Sequence, residues 1–303
     1  MIKKNLKYLI LLSGGLLLIV LLLSTRKELE TQFSENPIMP LPQIVKAPPI
    51  KNYYLFAGER LPTESFDVME RLDRELINNA YGHSNAIQSM KLSARYFPII
   101  TKILNQYNIP EDFKYMAIAE SGLRNVISSA GATGYWQLMR PTAIEMGLIV
   151  NDEIDERYDI EKSTIAAAKY LQKLKDRFGT WHNTISAYNL GMTKYRKNQE
   201  TQIEEDFYDL NLNSETMRYL FRLVAIKELF ENPHDFGYQI DENDKYRELN
   251  DYFLIQVDST INNLGKFAKD NNTSYRMLKI YNPWIINDKL TIQDTSFLIK
   301  IKK

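Results

Sequence analysis

Between about residues 53 and 232, apolar positions recur at three- and four-residue intervals, the signature of amphipathic helices. The pattern predicts helices near 64–80, 85–107 (interrupted by Pro98), 110–121, 141–147, 160–178, 182–190 and 214–231. Pro110 and Pro141 suit the first turn of a helix, and Gly147 and Gly179 suit helix ends. Within 160–178, Ala167, Leu171, Leu174 and Phe178 form one apolar stripe, which reads as core. After about 245 the pattern changes. Tyr252 to Val257 and Ser296 to Ile301 are rich in β-formers, with two short helical stretches, 260–270 and 274–281, between them. Strand, helix, helix, strand over so short a length predicts a small separate module.

The N-terminus has a different character. Lys3, Lys4 and Lys7 precede an uncharged run from Tyr8 to Leu23, at the short edge of what spans a bilayer. The following Ser24-Thr25-Arg26-Lys27 offers no small-x-small cleavage site, which favours an uncleaved anchor over a removed signal. The lysines predict that the N-terminus stays inside and the bulk of the chain lies beyond the inner membrane. Pro37, Pro40, Pro42, Pro48 and Pro49 then mark an extended tether. The expected order is therefore 1–24 anchor or signal, 25–52 linker, 53–245 helical domain with its core at about 85–232, and 250–303 module.

Composition narrows the chemistry by exclusion. With 38 basic and 38 acidic residues the formal net charge is zero, which gives no case for nucleic acid. Cysteine is absent, and His83, His182 and His234 are far apart, so no metal centre is implied. No motif calls for an organic cofactor.

The informative stretch is PEDFKYMAIAESGLRNVISSAGATGYWQLMRPT, residues 110–142. On a helix from 111, Phe113, Met116 and Ala117 share the face of Glu120. A carboxyl at the end of such a face is desolvated, which raises its pKa and suits it to act as a general acid. From spacing alone, Glu120 reads more readily as the first exposed residue after a core stripe. The small residues from Ser128 to Gly134 permit close turns, and Tyr135, Trp136 and Gln137 follow them as aromatic and amide groups able to face a sugar. An ordinary turn ending on a core tryptophan fits the same residues. Farther on, Ala187-Tyr188-Asn189 puts a phenol beside an amide near a helix end.

Taken in order, ESGL, SSAGATGYWQLM and AYNLG, with FAGERLP, DERYDIEKSTIAAAKYL and ETMRY around them, resemble the catalytic domain of lytic transglycosylases, closest to the membrane-bound D type. The resemblance covers roughly residues 55–232. It implies a mostly α, goose-lysozyme-like fold and cleavage of the β-1,4 bond between N-acetylmuramic acid and N-acetylglucosamine in peptidoglycan, with 1,6-anhydromuramoyl products. It also implies roles for individual residues: Glu120 as the single acid/base, Ser128 against the substrate N-acetyl group, Gln137 in the Gly-Leu-Trp-Gln-type motif, Tyr188 and Asn189 in the Ala-Tyr-Asn motif, and Tyr219 as a groove residue. Tyr188 is the phenol expected against the Glu120 carboxyl. Departures are Tyr135 for the usual leucine, and Ser129 and Arg140 where proline is common. The D-type enzymes are often lipoproteins, and this chain has no cysteine to acylate. Residues 250–303 resemble a degenerate LysM domain, a βααβ peptidoglycan-binding unit, on Val257 to Ile261, Ser274 to Leu278 and Tyr281-Asn282-Pro283-Trp284. The expected partners are glycan strands and the inner membrane, with the catalytic domain in the periplasm, or secreted if the signal is cleaved. Two other functions share these residues: a water-using muramidase, for which Asp152 and Glu153 are the candidate second acids, and a wall-binding protein without catalysis.

Overall fold

The computed structural model describes residues 46–293 and 296–303. The anchor expected at 1–24 and most of the linker expected at 25–52 lie outside the described residues. Among the described residues no helix is long and apolar enough to cross a membrane.

A two-residue hairpin, β1 (Leu55–Phe56) against β2 (Glu59–Arg60), opens the helical body. Eight helices follow: α1 (Phe66–Ala80), α2 (His83–Gln106), α3 (Lys114–Ser121), α4 (Arg140–Glu145), α5 (Ile160–Phe178), α6 (Trp181–Leu190), α7 (Met192–Gln202) and α8 (Ser214–Glu231). Helix α8 is the axis. Its residues from Tyr219 to Ala225 are buried almost without a break, apart from Arg222. A helix apolar on nearly every side must be surrounded, and α1, α3 and α6 pack around it. Side-chain caps set three of the helix starts. Asp159 accepts the amides of Glu161 and Lys162, Thr180 that of Asn183, and Asn213 those of Glu215 and Thr216.

Pro98 does not interrupt α2, contrary to the pattern-based expectation. Its ring faces solvent, where water can satisfy the carbonyl that loses an amide partner. Helix α7 was not anticipated. Only Tyr195 and Gln199 of its eleven residues are buried, so it carries almost no apolar period.

The C-terminal segment follows the expected order, with β3 (Tyr252–Val257), α9 (Leu264–Asp270), α10 (Tyr275–Tyr281) and β4 (Phe297–Lys302). The strands pair antiparallel, Tyr252 opposite Lys302 and Val257 opposite Phe297. Phe297, Ile299 and Ile301 alternate inward from β4 onto Leu264, Leu278 and Leu290. This core is separate from that of the helical body, with one crossing: Ile154 belongs to it. Ile154 pairs with Ile285 in an antiparallel bridge, and the Asp155 amide donates to the Trp284 carbonyl at 2.8 Å. The Glu153 carboxylate caps the seam, accepting the Thr291 amide at 2.7 Å and facing Lys289 at 2.9 Å.

Candidate active site

Glu120 sits in the last turn of α3, which ends at Gly122 in the left-handed conformation (φ 60°), a common helix stop. Phe113, Met116 and Ala117 are fully buried, as the shared-face argument requires. Glu120 keeps part of its surface open to a cavity of about 400 Å³, while its carboxyl stands deep in protein. That desolvation pushes its pKa up to about 7. The Tyr219 hydroxyl, donating to Oε1, works in the opposite direction, Glu215 adds to the rise and Arg222 offsets it. Glu120 is the only carboxylate among the described residues lining this cavity. Its other polar groups include Asn78, Asn85, Ser89, Arg124 and Arg222. A carboxyl that titrates near neutrality is able to donate a proton and to take one back.

Tyr219, rather than Tyr188, carries the direct hydrogen bond to Glu120. The Tyr188 hydroxyl donates instead to the Trp136 carbonyl at 2.7 Å. Burial, and then the nearby Glu120 charge, raises the pKa of both phenols, so each remains a neutral donor. Tyr219 lies on the buried face of α8, and α8 packs directly against α3.

The loop after Glu120 is held from several sides. Ser121 Oγ lies 2.9 Å from the Tyr135 carbonyl and 3.0 Å from that of Ala117, joining the helix end to the loop. Gly134 has φ 81°, and a Cβ built there would stand 2.0 Å from the Arg157 carbonyl oxygen, so only glycine fits. The Arg157 guanidinium forms a buried two-point ion pair with Asp155 and donates to the carbonyls of Leu138 (3.1 Å) and Gly131 (3.3 Å). Trp136 is buried and donates Nε1–H to Thr164 at 2.9 Å.

The remaining anticipated residues fall into two places. Gln137, itself at φ 47°, donates its amide to the carbonyls of Val126 and Gly134, tying the loop. Ser128 Oγ accepts the Ala132 amide at 3.0 Å and closes the turn before it. Asn189 Oδ1 accepts the Thr216 hydroxyl at 2.7 Å, one helical turn before Tyr219. Glu120, Tyr219 and Tyr188 are therefore gathered together. Gln137 and Ser128 shape the adjoining loop, and Asn189 braces α8. Arg222 and Arg157 were not anticipated. Arg222 could have been found, since it lies three residues after Tyr219 on α8 and so near the same face. Arg157 has a local ion-pair partner in Asp155, but the carbonyls of Gly131 and Leu138 that give it its place at the loop are far away in sequence.

Asp152 and Glu153, the candidate second acids, lie at the seam with the C-terminal segment. The Asp152 carbonyl accepts from Asn287, and Glu153 is engaged by Thr291 and Lys289. Neither lines the Glu120 cavity.

Residues 97–211 match the family described as Transglycosylase SLT domain, and 253–303 match the Soluble lytic transglycosylase C-terminal LysM-like domain. The chain thus carries a lysozyme-like SLT domain followed by a LysM-like domain. Among individual proteins it is similar to the Membrane-bound lytic murein transglycosylase D of Escherichia coli K12, with 26% identity over 264 residues, 84% of this chain and 57% of that protein. A Putative tributyltin chloride resistance protein of an Alteromonas species is 30% identical over 107 residues, 35% of this chain and 51% of that protein. The chain spans just over half the length of the curated relatives it matches.

Proposed function

We propose that this chain is a lytic transglycosylase that cleaves the β-1,4 bond between N-acetylmuramic acid and N-acetylglucosamine in peptidoglycan. Glu120 protonates the glycosidic oxygen as the bond to C1 breaks. Its carboxylate then accepts the proton of the same sugar's C6 hydroxyl as that oxygen bonds to C1, giving the 1,6-anhydro product without consuming water. One observation carries this reading: a single carboxyl, raised to about 7, is the only acid lining its cavity among the described residues. Inverting and retaining hydrolases of the common type need a second carboxylate across the bond. Tyr219 holds the acid in place, and Gln137, Ser128, Tyr188 and Asn189 shape the groove that takes the glycan. We read 53–245 as the catalytic domain and 250–303 as a wall-binding module. The segment before them would hold the protein at the inner membrane, facing the periplasm.

The test is mass spectrometry of purified peptidoglycan digested with the protein, with Glu120→Gln alongside. Products lighter by one water than hydrolytic muropeptides, lost in the variant, are expected. Reducing-end products would overturn the mechanism and turn attention to Glu215, an acid whose charge reaches Glu120. Binding of glycan without cleavage would make this a wall-binding protein.

A further inference from the structure

A second cavity, of about 640 Å³, opens between the helical body and α10. Four cations line it: Arg95 and Arg124 from the helical body, Arg276 and Lys279 from α10. No carboxylate lines it among the described residues, and none of the four is in an ion pair. Their contacts are to neutral groups. Arg95 donates to the Arg247 carbonyl at 2.9 Å, Arg124 to the Gln88 side chain at 3.2 Å, and Lys279 to the Asn287 carbonyl at 2.7 Å and to the Ile285 carbonyl. Burial pulls the Lys279 pKa down, outweighing the opposing charge of Asp288 outside the cavity. Arg276 is exposed. The adjoining cavity differs: there Asp159, Glu161 and Glu248 balance the cations, and Lys300 pairs with Glu161 at 2.7 Å. Arg95 lines both cavities and Lys279 feels Asp288, so Arg124 and Arg276 are the cations of the larger cavity most open to a ligand.

Two features say which ligand. Arg124 lines both this cavity and the Glu120 cavity, so the two adjoin. The walls are apolar and aromatic, formed by Tyr96, Leu123, Tyr135, Tyr275 and Ile280. An anion with aliphatic parts, attached close to the bond being cut, fits both features. The glycan backbone is uncharged where its lactyl groups are joined to peptide. The carboxylates of peptidoglycan sit on the stem peptides that hang from each muramic acid.

We infer that the cleft between the helical body and α10 is a subsite for the peptide stem, with Arg95, Arg124, Arg276 and Lys279 receiving its carboxylates. Arginine forks bind carboxylates at two points, which would fix the stem's direction and so the register of the glycan over Glu120. The module then contributes to choosing the substrate as well as to holding the wall. This assignment rests on the peptidoglycan reading of the Glu120 site.

Isothermal titration of the full chain with a free stem tripeptide bearing its carboxylates tests the subsite without catalysis. Saturable binding is expected that weakens with salt and weakens about 5-fold or more in Arg276→Gln and Arg276→Glu, the loss of one charge-assisted contact in a wet cleft. Both variants change an exposed side chain, and circular dichroism checks that they fold. In parallel, the KM ratio for glycan strands with stems and strands stripped by an amidase should favour stem-bearing strands in the wild type and shrink in the variants. No peptide binding, or binding equal in wild type and both variants, would overturn the subsite even where strands are cleaved. Peptide binding without strand cleavage would leave the subsite standing and overturn the transglycosylase reading instead.

Discussion

Glu120→Gln is expected to stabilise the protein, and only at the pH values where the carboxyl costs energy. The substitution keeps the shape of the side chain and an oxygen that can accept the Tyr219 hydroxyl. It removes the titrating proton. The folded-state pKa is about 7 against an ordinary value of 4.5, because the carboxyl is desolvated. Between those values the unfolded chain gives up its proton while the folded chain keeps it, so stability falls as pH rises through that window. Above about 7 the full cost is present. At about 1.4 kcal/mol per pH unit, this displacement corresponds to about 3 kcal/mol. For a body of this size that is a rise in Tm of roughly 6 °C or more in the variant. Calorimetry at pH 8 should show that gain, and at pH 4.5 it should vanish. An equal gain at both pH values would show that the charge is not its source. A loss at pH 8 would show that the carboxylate is stabilised where it stands, and the argument for a neutral-pH acid would fail with it.

Tyr219→Phe removes the hydrogen bond that opposes desolvation, so the Glu120 pKa moves higher still. The alkaline limb of the pH–kcat profile should move to higher pH, with the maximal rate lowered about tenfold or more by the loss of a positioned donor. Gly134→Ala places a Cβ against the Arg157 carbonyl at a φ of 81°, and should cost about 3 kcal/mol or more of stability, read from urea unfolding. Arg157→Met strands the buried Asp155 carboxylate and frees the carbonyls of Gly131 and Leu138. A loss of about 3–5 kcal/mol is expected in the same assay.

The helical body was legible because its elements announce themselves locally. Helix α5 has a capping aspartate, an unbroken apolar stripe and Gly179 just past its end, so its observed bounds are the expected ones. The βααβ order of the C-terminal segment was legible for the same reason, since the change from a period near four to alternation survives in a short stretch. What failed lacked local contrast. Helix α7 is polar along most of its length, and the β1–β2 hairpin is too short to alternate. Pro98 misled because the rule it invokes concerns a lost amide, and at an exposed helix face that loss is made good by water. At the site, spacing put Glu120 on an apolar face and the order of motifs around it singled it out, but its partner could not be placed. Tyr188 and Tyr219 are both buried phenols, and the choice between them depends on which helix lies against α3.

One strip of chain, 151–157, serves two tasks usually kept apart. On one side it forms the seat of the C-terminal segment, through the Ile154–Ile285 bridge, the Asp155 amide on the Trp284 carbonyl and the Glu153 cap. On the other, Asp155 holds Arg157, and Arg157 holds the loop that runs from Gly131 to Leu138 past the helix carrying Glu120. Backbone pairing at the seam fixes the position of Asp155 to within a hydrogen bond's tolerance. The buried ion pair passes that position to two carbonyls of the loop, where Gly134 leaves no room for adjustment. A shift of the C-terminal segment would therefore reach the loop through Asp155 and Arg157, as it reaches helix α5 through the Lys300–Glu161 pair. The geometry of the acid is thus anchored twice, by Tyr219 from α8 and by the loop through Arg157, and only the first anchor lies in the same helical core as Glu120.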